Sequence, residues 1–244
     1  ETAAVVDASG GGWNTVAGTT LDAGTLSVPG SDILRIWRGD GAVGTISAAS
    51  TLTGAGINIT TDPVTVTFQP GDILLLSDCQ NADWVQMCAG GGCIPGNTAT
   101  ATLTQPGGSV VRVQSYIYYV GKRDNNANSP PGLFRRPLGV TGGNRAAAGN
   151  AEEVVEGVEN MQVLYGVDTN ADRIVDNYVT ANNVGNWANV VSVQITLLMR
   201  ATERGDDISG AATYTLAGTD ANAANDRRLR QIVNTTVTLR NRVP

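Results

Sequence analysis

Oxygen-bearing side chains recur at alternate positions through Asp168-Thr-Asn170-Ala-Asp172-Arg-Ile174-Val-Asp176. That spacing suits a hard cation. Asp168, Asn170, Asp172 and Asp176 fall at positions 1, 3, 5 and 9 of a calcium-type loop, and the carbonyl of Ile174 serves position 7. Three carboxylates supply charge for a divalent ion, and hard oxygen donors favour Ca2+ over zinc or copper. Calcium is therefore the expected cofactor. Two positions depart from the pattern: Arg173 stands where glycine usually permits the sharp turn, and Val179 where a glutamate closes the shell. The bland alternative is a polar hairpin tip in which Asp and Asn act as turn formers.

Other chemistry is thinner. The chain has no histidine, which removes Ser-His and Cys-His nucleophilic machinery and the commonest transition-metal ligand. The carboxylates cluster in loops without a base or nucleophile beside them, so no enzyme activity is expected. Three cysteines cannot build a structural zinc site without histidine. Cys88 and Cys93 flank Ala-Gly-Gly-Gly, a spacing that predicts a disulfide in an oxidising compartment, with buried thiols as the alternative and Cys79 left over. Gly39-Asp-Gly41-Ala-Val-Gly44 matches the dinucleotide fingerprint by letter, but a poor helix former follows it and no βαβ rhythm surrounds it; no nucleotide partner is expected. Arg38-Gly-Asp40 and Arg204-Gly-Asp206 read as ordinary turns.

Charge and size bound the partners. A net charge of −6 with a single lysine, Lys122, argues against a nucleic-acid groove, which needs a clustered basic face. No apolar run approaches the ~18–20 residues of a membrane span, which predicts a soluble chain. At 244 residues one β domain over 1–244 is expected.

The elements that must position these residues are strands. Val158 to Val167 alternates, with Met161, Val163, Tyr165 and Val167 on one side and Asn160 and Gln162 on the other. Val190 to Arg200 alternates again, with Val191, Val193, Ile195, Leu197 and Met199 facing one way and Ser192, Gln194, Thr196 and Arg200 the other. Together 158–200 predicts an antiparallel strand-loop-strand unit around the Asp168 loop, buried on its apolar face. Residues 1–28 read as a segment leading into the domain. Further strands are expected at Ser31–Trp37, before a turn at Arg38–Gly41, then at Val64–Phe68 and Ile73–Leu76, at Ser109–Val120 with a return at Leu133–Arg136, and at 231–241. Helical stretches are short: Arg145–Ala148, Ala151–Glu156 and Ala221–Arg230. The fold class is mainly β with antiparallel sheets.

The order of Gly30-Ser-Asp-Ile-Leu-Arg35, Gly71-Asp-Ile-Leu-Leu-Leu-Ser-Asp-Cys79, Leu133-Phe-Arg-Arg136, Glu153 to Asp168, Val190 to Arg200 and Val237-Thr-Leu-Arg-Asn-Arg242 closely resembles the PilW family of type IV pilus minor pilins. A weaker likeness, carried by Glu156-Gly-Val to Tyr165, Trp187 and the Val190 strand, extends to the J-type pseudopilin of type II secretion. The resemblance implies an α+β pilin: a β-rich globular head behind a membrane-inserted N-terminal helix that this sequence does not contain. It further implies a structural role in initiating pilus assembly near the tip. Other minor pilins and the major pilin would be the partners, with an inner-membrane stage before display at the bacterial cell surface, and Cys79 would pair upstream of Glu1. Two alternatives remain: the secretion pseudopilin, and an adhesive or ligand-binding module at the tip using loops such as Thr45–Asn58 and Gly90–Pro106.

Overall fold

The computed structural model describes residues 28–46, 108–123, 129–138, 151–205 and 212–239 as continuous stretches, with strand pieces at 4–6, 15–16, 19–20, 50–51, 59–61, 73–77, 82–88, 91–93 and 102–103. The principal strands are β1 (Ile33–Ile46), β2 (Ile73–Ser77), β3 (Ala82–Cys88), β4 (Gly91–Cys93), β5 (Ser109–Lys122), β6 (Pro131–Leu138) and β7 (Glu152–Glu156). They continue with β8 (Val158–Val167), β9 (Asn177–Val179), β10 (Val190–Arg204), β11 (Thr213–Leu216), β12 (Thr219–Asn222) and β13 (Arg228–Thr238). Two short 3-10 turns, Ala181–Asn183 and Trp187–Asn189, stand between β9 and β10. The mainly β, antiparallel fold expected from the alternating patterns is the fold observed, and its sheets are open.

Two compact units divide the chain. The first comprises Glu1–Thr2, Ile36–Tyr116 and Pro137–Asn150; the second comprises Ala3–Arg35, Ile117–Arg136 and Ala151–Pro244. In the first unit β2 pairs antiparallel with β5, Leu76 opposite Val110 and Leu74 opposite Arg112, and on its other side with β3. Leu74, Leu76 and Val110 are completely buried, so the apolar run at 73–76 does form a core strand.

The second unit is built on a four-stranded sheet in the order β9-β8-β10-β13, antiparallel throughout. The expected pairing of the two central strands is present, with Met161 opposite Leu197, Val163 opposite Ile195 and Tyr165 opposite Val193. The expected one-sided burial is not. Asn160 and Gln162 are buried as well as Met161, Val163 and Tyr165, because residues 30–32 run along the edge of β8 that β9 leaves unpaired. The Met161 N–H donates to Ser31 Oγ (3.0 Å), the Val163 N–H donates to Asp32 Oδ2 (2.8 Å), and Asp32 N–H returns a bond to the Met161 carbonyl (2.8 Å). Gln162 Nε2 donates to the Gly30 carbonyl at 2.8 Å. These bonds satisfy edge groups that would otherwise be buried without partners.

On β10 the burial assignment is likewise corrected: Ser192, Thr196 and Leu198 are buried, whereas Ile195, Leu197 and Met199 are only half-buried. Tyr165 packs edge-on against Trp187, with ring centroids 4.8 Å apart. Burial, with the Asp32 charge adding to it, pushes the Tyr165 phenol up from its ordinary pKa, so it stays neutral.

Three local expectations fail. Ala151–Glu156 is largely strand β7 instead of helix: it pairs with β6, Glu152 opposite Arg135, and Glu152 and Glu153 form ion pairs with Arg135 and Arg123. Ala221–Arg230 holds the end of β12 and the start of β13. The turn expected at Arg38–Gly41 lies inside β1, which continues to Ile46. Val64–Phe68 and Arg145–Ala148 lie outside the described residues. Between β7 and β8, Gly157 has φ +80°, and a Cβ there would sit 2.5 Å from the Arg200 carbonyl oxygen. Only glycine fits this corner.

Candidate functional site

Asp168, Asn170, Asp172, Ile174 and Asp176 share one loop at the end of β8. The loop does not run directly into β10. It folds back as a hairpin onto β8 through β9, with Val167 opposite Asn177, and the two 3-10 turns then lead to β10. Asp168 is buried and its carboxylate organises the turn. Oδ1 accepts the N–H groups of Asn170 (3.1 Å) and Ala171 (2.7 Å), and Oδ2 accepts that of Arg173 (2.7 Å). Asn170 Oδ1 accepts the Asp172 N–H and Asp172 Oδ1 the Ile174 N–H, so the Asx turn repeats at every second residue. Asp176 Oδ2 accepts both the hydroxyl (2.5 Å) and the N–H (2.7 Å) of Thr169, which hold its carboxyl below an ordinary aspartate's pKa.

Ala171 and Arg173 have φ +66° and +67°. The sharp turn that glycine usually provides is thus made by Arg173 itself. Among the described residues, however, no three His, Cys, Asp or Glu side chains converge as metal ligands. The loop has the oxygens and the turn, while its carboxylates are directed to backbone N–H groups.

The side chains of Cys88 and Cys93, and Cys79 altogether, lie outside the described residues. The β3–β4 register sets Cys88 opposite Gly91 and Cys93 opposite Gln86, so the two cysteines are diagonal to one another and not directly opposite. The Gly39–Gly44 run lies within β1, with Gly44 paired to Thr61.

Spacing in the sequence did not point to the charged cluster at the opposite end of β8. Glu159, Arg200, Asp226, Arg228 and Arg230 are dispersed along the chain and meet only because β8, β10 and β13 are adjacent. Arg230, nearly buried, clamps Glu159 with Nε and Nη2 at 2.6 and 3.0 Å and reaches Asp226 Oδ1 with Nη1 at 2.9 Å. Hydrogen bonding to Glu159 raises the Arg230 pKa further, so the guanidinium is permanently charged. Burial pushes Asp226 up, but the hydrogen bond and charge of Arg230, helped by Arg228 and Arg200, outweigh it and hold the carboxyl below its ordinary value.

An apolar stripe crosses the face of the sheet that carries Val193 and Leu197. On β13, Val237 stands opposite Val193 and Val233 opposite Leu197, and they are 51% and 43% exposed. Leu229 extends the stripe at 62%, beside the half-buried Ile195, Leu197 and Met199. A stripe of this kind marks an interaction surface more often than a free one.

Residues 117–241, just over half of the chain, match the family described as PilW, type IV pilus-assembly protein W. The chain belongs to this family. Searches of curated proteins and of solved structures each found no match. Among the described residues no helix is long and apolar enough to cross a membrane.

Proposed function

We propose that this chain is the β-rich head of a type IV pilus minor pilin that helps initiate assembly, at or near the tip, in contact with other minor pilins and the major pilin. The match of residues 117–241 to a pilus-assembly family carries the reading. The exposed stripe on β13 supports it. A pilin-type N-terminal helix, which the resemblance implies as the inner-membrane anchor, is an apolar occupant of suitable shape for that stripe, and covering it would add hydrophobic stabilisation at about 25 cal/mol per Å2. The role is structural: the head presents surfaces, and no bond is made or broken. Deleting the gene should remove surface pili and complementation should restore them, counted by electron microscopy. Unchanged pilus numbers in the deletion strain would contradict the reading.

The Asp168 loop fits calcium as a structural ion. Its oxygen spacing and its left-handed turns at Ala171 and Arg173 support this, while Asp172 and Asp176 would have to turn from their present N–H and hydroxyl partners to the ion. Binding would relieve the repulsion among three carboxylates and hold the β8–β9 hairpin.

A further inference from the structure

The second unit contains a cleft of about 580 Å3 beside the charged cluster. One wall is Leu198 and Arg200 of β10, another is the Pro130-Pro131 corner, and a third is β12 with the residues just after it. Three observations give it a ligand chemistry.

The first is charge. The bases Lys122, Arg200, Arg204 and Arg228 line the cleft against the acids Glu159, Asp220 and Asp226. Behind them Arg230 already neutralises Glu159 through a bidentate pair and shares Asp226. In a chain of net charge −6 the cleft is therefore a local positive surplus, and a low-dielectric recess concentrates such a field.

The second is an arginine N–H without an acceptor. Arg200 Nη1 is shared between Glu159 Oε1 and Asp226 Oδ2, at 3.5 Å from each. Its Nε is buried and has no hydrogen-bond partner. A buried N–H left without an acceptor is costly, and the Nε–Nη2 edge of a guanidinium is the fork that receives a carboxylate in a bidentate pair.

The third is a strand edge. All of β12, Thr219–Asn222, lines the cleft, whereas β11 does not. Among the described residues β12 pairs only with β11, in a two-stranded sheet. Its other edge has no strand partner among the described residues. An extended peptide added to a free edge is a recurrent mode of recognition.

We propose that this cleft receives an extended acidic protein segment, whose backbone adds to the free edge of β12 and whose carboxylate takes the Nε–Nη2 edge of Arg200, beside Arg228 and Arg204. A small anion would satisfy the arginines but leave the strand edge unused. A neutral strand would use the edge but leave the positive surplus uncompensated. The inference is independent of the pilus reading, because it is measured on the purified chain, with no pilus present.

The test is fluorescence anisotropy of the full chain with a labelled eight-residue peptide of alternating threonine and glutamate, beside its glutamine counterpart. The glutamate peptide should saturate and bind at least about tenfold more tightly, with affinity falling as salt rises. Arg204→Gln, at an exposed position at the end of β10, should weaken it about three- to tenfold at unchanged melting temperature, and Arg228→Gln should weaken it comparably but melt lower, since Arg228 Nη1 also donates to the Ala201 carbonyl at 3.1 Å. Arg200→Gln should weaken it most. Equal binding of the two peptides, or Arg204→Gln and Arg228→Gln variants that both retain full affinity, would overturn the proposal. So would displacement of the peptide by inorganic phosphate at equal concentration, which would reduce the cleft to a simple anion site.

Discussion

Asp226 is where a single residue sets a measurable property. Its carboxyl is depressed below the ordinary 3.8 because the charge and hydrogen bond of Arg230 outweigh the burial that opposes them. A depressed acid contributes stability that is present above its unfolded pKa and is lost as pH falls through its folded pKa. Acid unfolding should therefore steepen below about pH 4, and Asp226→Asn should flatten part of that limb while lowering stability at neutral pH. Denaturant melts across pH would check it. Arg173 offers the opposite case. Holding a non-glycine residue in the left-handed region costs roughly 1–2 kcal/mol, so Arg173→Gly should raise the melting temperature. If the loop holds calcium, the parent should melt higher in calcium than in chelator, and Asp168→Ala should abolish that difference; identical melting temperatures for the parent would reject the metal reading. The alternating oxygens were visible in the sequence because the whole loop is local. The Glu159–Arg200–Asp226–Arg230 network was not, since Glu159 and Arg230 meet only through two strand pairings.

Strand β10 shows how a correct pairing can accompany a wrong face. Alternation identified the two strands as a pair, and they do pair, with Ile195 opposite Val163 and Leu197 opposite Met161. Alternation alone does not say which face of a sheet is covered. Residues 30–32 bind along β8, and the Leu198 face is the closed one on this part of β10. Leu198→Ala should consequently cost about 2–5 kcal/mol, and Ile195→Ala distinctly less, measured by denaturant unfolding. Equal costs would mean that both faces are enclosed in solution. The β7 segment teaches a related lesson: Glu152 and Glu153 favour a helix N-terminus in isolation, but the tertiary partners Arg135 and Arg123 draw them into a strand. Gly157 permits the corner that follows, a requirement that becomes apparent only once Arg200 is seen beside it.

At the scale of the whole molecule, alternation already implied a sheet protein, and family membership now gives that fold a setting in pilus assembly. What composition could not convey is the stripe of Leu229, Val233 and Val237, because on a strand the same alternation describes a buried face and an exposed one. The account rests on that stripe being a contact surface within the pilus assembly. Its most direct test is complementation of the deletion strain with full-length protein carrying Val233→Glu and Val237→Glu, alongside circular dichroism and melting of the same variant head. A folded head with a melting temperature near the parent's, and cells bearing few or no pili, is the predicted result. Pili in normal number from cells carrying a stably folded double variant would contradict it.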